Sequence, residues 1–204
     1  MAFRALSSVP RALGQRAAAA SPRLMSRPVS QQQQRLFHAS RPAAVAVGDA
    51  LPSLEVLVEN SPGNKVNLAD EFAGVKRGVV VGVPAAFSGA CSQKHVPSYM
   101  QHPQVAQIIA EGGQVVVVSV NDAFVMKAWG DQLDPVQESG IRFLGDPAGE
   151  FTKALDLDFD STAIFGNRRA KRYALVIEDG KVKSVHVEPD NTGTDVSMAD
   201  KVLG

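Results

Sequence analysis

The chain has 204 residues, of which 45% are hydrophobic and 21% are charged, a composition typical of one globular domain with a short extension. It contains no run of about 18 apolar residues without charge, so no membrane-spanning segment is expected. The single cysteine excludes an internal disulfide, and with it a secreted disulfide framework, and argues against a cysteine-based metal site.

Basic residues are unevenly distributed, although the formal net charge is zero. Residues 1–44 hold seven of the 21 basic residues, all of them arginines, and no acidic residue. The other 160 residues therefore carry 14 basic and 21 acidic residues, a balance of −7. Because nucleic-acid binding needs a basic face that neutralises phosphates, this acidic body argues against a nucleic-acid partner.

The arginine-rich start of the chain has the composition of an organelle transit peptide. Its apolar residues are spaced as in a basic amphipathic helix, at Phe3, Leu6, Val9 and Leu13. The segment RLFHAS at 35–40 resembles a two-step mitochondrial processing site, which places the start of the mature chain between Phe37 and Val45. We predict a cleaved, disordered mitochondrial transit peptide over 1–44, a folded domain over 45–204 and a location in the mitochondrial matrix. The alternative is a disordered tail that stays attached.

The first half of the folded part contains two strands with the pattern of full burial. Alternation over 54–59 predicts an initial strand, and SPGN at 61–64 predicts a turn. The apolar, β-branched runs RGVVVGV at 77–83 and QVVVVSV at 114–120 predict two fully buried strands. Between these runs the spacing over 88–109 is helical, with interruptions expected at its prolines, Pro97 and Pro103, and an end at Gly112-Gly113.

The second half begins with a helix predicted over 123–133, with Asn121-Asp122 as its N-cap. Its apolar residues are expected on one side, at Phe124, Val125, Ala128 and Trp129. A short strand over 141–144 and a short helix over 149–155 follow. Asp179-Gly180 joins two β-rich runs, 172–178 and 181–187, and predicts a hairpin; residues 197–204 predict a terminal helical turn. This order predicts an α/β protein with a mixed central sheet and helices on both faces.

The one cysteine, Cys91, follows a predicted buried strand and a short loop, in the first turn of a predicted helix. Unpaired N–H groups at a helix start favour an anion, and a nearby arginine would add to that effect. Because the thiolate is the nucleophilic form, this placement indicates a reactive sulfur that an oxidant can touch. The alternative is a small core residue, since free cysteine is among the most buried residue types.

The residues around Cys91 resemble the active-site signature of the peroxiredoxins, through the pattern Pro84-x-x-x-Ser88-x-x-Cys91. The segments GVP at 82–84 and CSQKHVP at 91–97 are more closely similar to the type II or peroxiredoxin-5-like branch. The resemblance continues in order over about 45–204, through VNDAFV at 120–125, WG at 129–130, DPAG at 146–149, FGNRRAKRY at 165–173 and VEPD at 187–190. It implies a thioredoxin-like fold.

The resemblance also implies a thiol-dependent peroxidase that reduces hydrogen peroxide and organic hydroperoxides without a cofactor or metal. Cys91 matches the peroxidatic cysteine, which becomes a sulfenic acid. Ser88 matches the hydroxyl residue that holds the thiolate and the peroxide oxygen, and Pro84 matches the residue that shields the thiolate from water. Arg172 matches the arginine that stabilises the thiolate and the charge on the breaking O–O bond. His95, one turn after the cysteine, is expected to support the site or to bond a backbone carbonyl.

Each of these residues also has a plain structural interpretation. Pro84 could simply end a strand, Ser88 could cap a helix, and Arg172 could belong to a solvated basic loop. A non-enzymatic redox sensor or a chaperone-like interaction protein on the same fold is the alternative function. A serine hydrolase is excluded because the G-x-S-x-G motif is absent.

The chain departs from many members of the resembled family because it has no second, resolving cysteine; Val196 stands where one branch carries it. The resemblance therefore implies a one-cysteine cycle, in which an outside thiol clears the sulfenic acid. Glutathione with glutaredoxin, thioredoxin, or another small thiol could serve, and the sequence does not choose among them. The family resemblance also leads us to expect a homodimer. Charge and hydropathy, as given above, lead us to expect neither a nucleic acid nor a membrane as a partner.

Overall fold

The computed structural model of the protein describes residues 44–204. The predicted transit peptide, its amphipathic helix and the processing site all lie outside these residues, apart from Ala44. Within the described part of the chain, no helix has the length and apolar character needed to cross a membrane.

Within residues 44–204, nine strands form two sheets, one large and one small. They are β1 Leu57–Glu59, β2 Ser61–Val66, β3 Arg77–Val83, β4 Gln114–Ser119, β5 Arg142–Gly145, β6 Asp158–Asp160, β7 Arg168–Ala170, β8 Tyr173–Glu178 and β9 Lys181–Val187. The large sheet has the order β2-β1-β5-β4-β3-β8-β9. Strands β3, β4 and β5 run parallel to one another, whereas β1, β2, β8 and β9 pair antiparallel. Strands β6 and β7 form the separate small sheet.

Short helices connect these strands. They are α1 Leu68–Phe72, α2 Val96–Met100, α3 Pro103–Ala110, α4 Ala123–Leu133, α5 Glu150–Ala154, α6 Thr162–Phe165 and α7 Ala199–Leu203. A π-helical turn over Cys91–His95 leads directly into α2. Single π-helical turns of this kind occur frequently at functional sites.

Helices cover both faces of the large sheet, as alternation along its central strands shows. Val80 of β3 belongs to the hydrophobic cluster that includes Phe72 of α1 and Phe151 of α5. Its neighbour Val81 belongs to the opposite cluster, which includes Trp129 of α4 and the helical segment after β3. The prediction of a mixed α/β sheet with helices on both faces is confirmed.

The carboxyl ends of the three parallel strands meet at one edge of the sheet, and this edge positions the site. Val83, Ser119 and Gly145 end β3, β4 and β5, and Pro84, Val120 and Asp146 begin the loops that follow. In open α/β sheets, ligands bind outside this edge. Cys91 lies beyond the first of these strand ends.

The prediction of a turn at 61–64 is wrong, because these residues form most of β2. The turn lies one residue earlier, at Asn60, whose φ of 60° is the left-handed conformation that asparagine tolerates. Strand β2 lies at the edge of the sheet, where Pro62 need not donate a ladder hydrogen bond. The initial strand is also shorter than predicted, over Leu57–Glu59 only.

The prediction of which side of α4 faces the core is also wrong in part. Phe124 is 64% exposed, and the helix instead buries Ala123, Met126, Trp129 and Gly130. Gly130 explains why this side of the helix, and not the side of Phe124, faces the sheet. A Cβ at position 130 would lie 2.9 Å from the Phe143 ring. The absence of a side chain at Gly130 allows the helix to approach the sheet closely along this side.

Proline does not interrupt the helical region where predicted at Pro97. Pro97 lies in the first turn of α2, where its missing N–H is not needed for the helix. The break falls at 101–102, immediately before Pro103. The hairpin prediction is confirmed: Asp179 and Gly180 have φ values of 51° and 75° and join β8 to β9, the geometry of a type I′ turn.

Candidate active site

Cys91 lies at the base of a short helical turn that follows the loop after β3. The helical segment begins at Gly89, and Cys91 opens the π-helical turn, whose lengthened backbone bond runs from the Val96 N–H to the Cys91 carbonyl. The side chain belongs to the same apolar cluster as Val83 and Tyr99. The predicted position of the cysteine in the first turn of a helix is thus observed.

The Arg172 guanidinium meets the sulfur of Cys91 although 81 positions separate the two residues. Arg172 lies between β7 and β8, is only 2% exposed, and places its Nη1 at 3.3 Å from the Cys91 Sγ. Its Nε donates to the Thr192 carbonyl at 3.2 Å. The fork of the guanidinium is therefore fixed at two points.

The burial of Arg172 has an electrostatic consequence. Among the described residues, its side-chain hydrogen bonds go to a carbonyl and to sulfur, and none goes to a carboxylate. A buried charge is costly unless an opposite charge or strong hydrogen bonds compensate it. The Cys91 sulfur is one of the two groups that this guanidinium contacts, and the ionised form of a cysteine sulfur is its nucleophilic form.

Ser88 and Pro84 lie in the loop that leads from β3 to the cysteine. The half-buried Ser88 donates its hydroxyl to the Ala85 carbonyl at 2.9 Å, and the structure gives no hydrogen bond between this hydroxyl and the Cys91 sulfur. Pro84 is buried and directly follows β3. The structure thus brings both residues into the cysteine loop, and pairs only Arg172 with the sulfur.

The sulfur is not accessible in this conformation, so the prediction that an oxidant can touch it is wrong here. Cys91 is 0% exposed, because it packs inward from the helical turn among the apolar side chains. In contrast, Phe87, Gly89 and Ala90, which precede Cys91 in the chain, are exposed. A hydroperoxide can therefore reach the sulfur only if the side chains packed around it move.

His95 bonds a backbone carbonyl, which confirms one of the two interpretations given to it. Its Nε2 lies 3.0 Å from the Ser197 oxygen, which also accepts the Tyr99 hydroxyl at 2.6 Å. Since a carbonyl only accepts, Nε2 carries the proton. Burial first, and then the nearby Arg172 charge, lower the pKa of His95 to about 4, against the opposing effects of the Ser197 bond and Glu188.

Acidification is expected to weaken the fold through His95. A histidine with a folded pKa of about 4 is neutral in the native state, while the unfolded chain takes up a proton below about pH 6.5. The free energy of unfolding should therefore fall by about 3 kcal/mol as pH drops from 6.5 towards 4. His95→Gln should lose this part of the slope in denaturant titrations, whereas His186→Gln on β9 should retain it. Equal slopes for wild type and His95→Gln would contradict the assignment.

The sequence motifs contain further site residues to which no role was given. Asn121 accepts a hydrogen bond from the Ala86 N–H at 3.1 Å and from the Ser119 hydroxyl at 2.8 Å, so it holds the cysteine loop against the end of β4. The Trp129 indole donates to Ser92, next to Cys91, at 3.0 Å. Asn121 and Trp129 belong to the motifs VNDAFV and WG. Their roles become visible only in the folded structure, because their hydrogen-bond partners are far away in the sequence.

The described residues contain no group of three or more His, Cys, Asp or Glu side chains that could hold a metal ion. The sulfur and the guanidinium are the two reactive groups in contact at the carboxyl edge of the sheet.

Known proteins share both the fold and the sequence of this chain. Residues 46–203 match the Redoxin family. Peroxisomal membrane associated protein 20 of Schizosaccharomyces pombe is 45% identical over 160 residues, 78% of this chain and 97% of that protein. The mitochondrial peroxiredoxin-2F of Arabidopsis thaliana is 41% identical over 67% of this chain and 66% of that protein. The crystal structure of peroxiredoxin 5 from Alvinella pompejana superposes with a TM-score of 0.63 at 38% identity, covering 72% of this chain and 92% of that one.

The fold and the cysteine site define a thiol-based oxidoreductase with a thioredoxin-like fold. More narrowly, the matches show that the chain belongs to the peroxiredoxins, in the type II or peroxiredoxin-5-like branch. It is a thiol peroxidase, which reduces a peroxide with electrons from a thiol. The family resemblance found in the sequence is confirmed.

Proposed function

We propose that Cys91 is the peroxidatic cysteine and that the chain reduces hydrogen peroxide and organic hydroperoxides by a one-cysteine cycle. One observation carries this assignment: the 3.3 Å contact between the Arg172 Nη1 and the Cys91 Sγ, both buried. A guanidinium in this position stabilises the thiolate before the reaction and faces the oxygen that leaves during it. Arginine suits both tasks because it stays charged and presents several donors in a fixed fork.

In the first step, the Cys91 thiolate attacks the terminal oxygen of the hydroperoxide. An S–O bond forms as the O–O bond breaks, so that the sulfur is oxidised to a sulfenic acid and the peroxide is reduced. The electron pair of the O–O bond leaves with the alkoxide, or with hydroxide when the substrate is hydrogen peroxide. The leaving oxygen then takes a proton from solvent, and Arg172 stabilises its charge until that transfer.

Ser88 and Pro84 complete the proposed site. The Ser88 hydroxyl donates its hydrogen bond to the Ala85 carbonyl. Its oxygen therefore keeps lone pairs that can accept a hydrogen bond from the peroxide O–H. Serine lacks the methyl group that would restrict its rotamer, which leaves the hydroxyl free to follow the substrate. Pro84 has no N–H donor and, buried at the end of β3, keeps water from the sulfur.

An external thiol must complete the cycle, because the chain has one cysteine. A reductant thiol attacks the sulfenic sulfur, which forms a mixed disulfide and releases water. A second thiol then attacks that disulfide, which restores the Cys91 thiol and releases the oxidised reductant. Glutathione with glutaredoxin and thioredoxin are the proposed donors. Sulfinic acid is the competing product when peroxide arrives before the reductant.

Stopped-flow kinetics on the reduced protein test this proposal. Trp129 is the only tryptophan and bonds Ser92 beside Cys91, so its fluorescence reports oxidation of the sulfur. The second-order rate constant with hydrogen peroxide should exceed that of a free thiol by orders of magnitude. Mass spectrometry with each reductant in turn should show which donor removes the sulfenic acid. A rate constant equal to that of free cysteine would favour a redox sensor or a chaperone-like protein instead.

Residues 1–44 are proposed to direct the chain to the mitochondrial matrix and to be removed there, which leaves the domain 45–204. The acid-free, arginine-rich composition supports this, as does the mitochondrial relative from Arabidopsis. The name of the yeast relative points instead to the peroxisome. Imaging of fluorescent fusions with and without residues 1–44, and N-terminal sequencing of the mature protein, would separate the two locations.

A homodimer is proposed as the working form, because exposed apolar side chains occur in the cysteine loop and in two segments that meet it at the end of β4. Phe87 is 49%, Phe124 64% and Ile164 77% exposed. Their segments are tied together at the end of β4: the cysteine loop through Asn121, and the α6–β7 region through the bond from Arg169 to the Val120 carbonyl. Because exposed apolar patches mark interaction sites, we place the proposed interface at this end of β4.

The variant Phe124→Glu is therefore expected to weaken self-association by about a hundredfold, the effect of removing a buried aromatic anchor. Val136→Glu is the matched control, because Val136 is 71% exposed but lies beyond the opposite end of α4. Light scattering over a concentration series gives both dissociation constants. A wild-type protein that stays monomeric at high concentration, or equal weakening by both variants, would contradict the proposed interface.

A further inference from the structure

A second buried charge, the carboxylate of Glu188, lies close to the proposed active site and has no part in the chemistry described above. Glu188 directly follows β9 and is 2% exposed. Its Oε1 accepts hydrogen bonds from the Asp195 N–H at 2.8 Å, the Ser197 N–H at 2.9 Å and the Ser197 hydroxyl at 2.7 Å. The carboxylate thus closes the segment 188–197 into a loop, here called the C-terminal loop.

The C-terminal loop holds Arg172 from three directions. The Arg172 N–H donates to the Asn191 carbonyl at 2.7 Å, and the Glu188 N–H donates to the Arg172 carbonyl at 3.0 Å. The Arg172 Nε donates to the Thr192 carbonyl at 3.2 Å. Thr192 itself is exposed, so the position of its carbonyl depends on the shape of the loop and not on packing in the core.

The far end of the C-terminal loop is anchored to the helical segment that carries Cys91. The Ser197 carbonyl accepts from both His95 and Tyr99, while the Ser197 N–H and hydroxyl bind Glu188. Glu188 therefore links two sets of contacts: those of the C-terminal loop with Arg172, and those of Ser197 with the helical segment that carries Cys91. An ionised acceptor makes stronger hydrogen bonds than a neutral one, which suits a carboxylate to this junction.

Glycine at position 193 is part of the same arrangement. A Cβ there would lie 2.8 Å from the Asp190 Oδ1 and 3.0 Å from the Glu188 Oε2. The second carboxylate oxygen of Glu188 therefore packs directly against the loop backbone. A shortened or rotated Glu188 side chain would lose these contacts, so we expect the path of the loop to change, and with it the position of the Thr192 carbonyl.

We propose that Glu188 is a positioning residue for peroxide reduction, which acts through the C-terminal loop to hold the Arg172 guanidinium on the Cys91 sulfur. The inference rests on the proposed roles of Cys91 and Arg172. It differs from a purely structural role because the effect on rate must pass through the arginine. A displacement of a catalytic group by about 1 Å can lower a rate by about a hundredfold.

Glu188→Ala is therefore expected to lower the second-order rate constant with hydrogen peroxide by about a hundredfold. Glu188→Gln keeps an acceptor oxygen of the same length and should recover most of the rate. Glu188→Asp keeps the charge but retracts it by one methylene, so it should be slow, and it serves as the second variant if alanine prevents folding. Wild-type rates in every folded variant would overturn the proposal.

Asp134→Ala is the matched control. Asp134 is also buried, and its carboxylate closes a loop through the Glu138 N–H, the Ser139 N–H and the Ser139 hydroxyl. These contacts involve neither Arg172 nor the C-terminal loop, so this variant should lose stability while its peroxide rate remains that of the wild type. If it slows the reaction as much as Glu188→Ala does, the effect is one of general stability and the proposal fails.

A double-mutant cycle with Arg172→Gln gives the sharpest result. If Glu188 acts through Arg172, Glu188→Ala should have little further effect once the guanidinium is absent. If the double variant instead loses rate by the product of the two single-variant factors, Glu188 acts independently of Arg172 and the inference is overturned. A normal rate for Arg172→Gln alone would instead remove the proposed role of the arginine, so the two failures are distinguishable.

Discussion

Replacement of Cys91 by serine is expected to lower thiol-dependent peroxide reduction by about a millionfold, down to the rate without protein. The reaction needs an atom that is both nucleophilic at neutral pH and able to pass through a sulfenic acid, and a serine hydroxyl is neither. Since Cys91 is the only cysteine in the chain, no neighbouring thiol can replace it.

The measurement is peroxide consumption with glutathione and glutaredoxin, and separately with thioredoxin, by wild type and Cys91→Ser. The serine variant should fold, because its hydroxyl is close in size to the thiol and can accept from Arg172 at the same place. Denaturant unfolding of both proteins provides this control. Turnover in a folded Cys91→Ser protein would show that another group reduces the peroxide, and the proposed cycle would be wrong.

Local sequence signals predicted the parts of the fold that local chemistry decides. The β-branched runs of β3 and β4 form buried strands because their residues have no polar face to expose. Asp179-Gly180 forms the hairpin turn because both residues tolerate positive φ. The helix start at Cys91 followed from the same local pattern, and it placed the cysteine correctly along the chain.

Features that depend on distant contacts could not be predicted in this way. Arg172 lies in a run of basic residues that looks like a solvated loop, and only the family resemblance singled it out; its burial against Cys91 is a tertiary effect. Glu188 and Thr192 received no role, because the contacts of the Glu188 carboxylate and of the Thr192 carbonyl form only when the loop is folded. The sequence offers burial of Cys91 only as the alternative to an accessible sulfur, because a helix start alone does not show what covers the side chain.

Replacement of Arg172 by glutamine is expected to lower the second-order rate constant with hydrogen peroxide by about 10²- to 10³-fold, equivalent to about 3–4 kcal/mol of transition-state stabilisation. Glutamine keeps a hydrogen-bond donor but loses the charge that lies 3.3 Å from the sulfur. The loss should appear twice, in the fraction of reactive thiolate and in the stabilisation of the leaving oxygen. Alkylation of Cys91 by iodoacetamide responds to the first effect only.

Comparison of the two reactions therefore separates the roles of Arg172. If it only ionises the sulfur, Arg172→Gln should slow alkylation and peroxide reduction by the same factor. If it also stabilises the leaving oxygen, as we propose, the peroxide reaction should slow more. Arg172→Lys keeps the charge, but its single ammonium group cannot reproduce the fork that spans Thr192 and Cys91, so it should fall between wild type and glutamine. If Arg172→Gln reduces peroxide as fast as the wild type, the contact between this buried guanidinium and the sulfur has no role in catalysis, and the proposal is wrong.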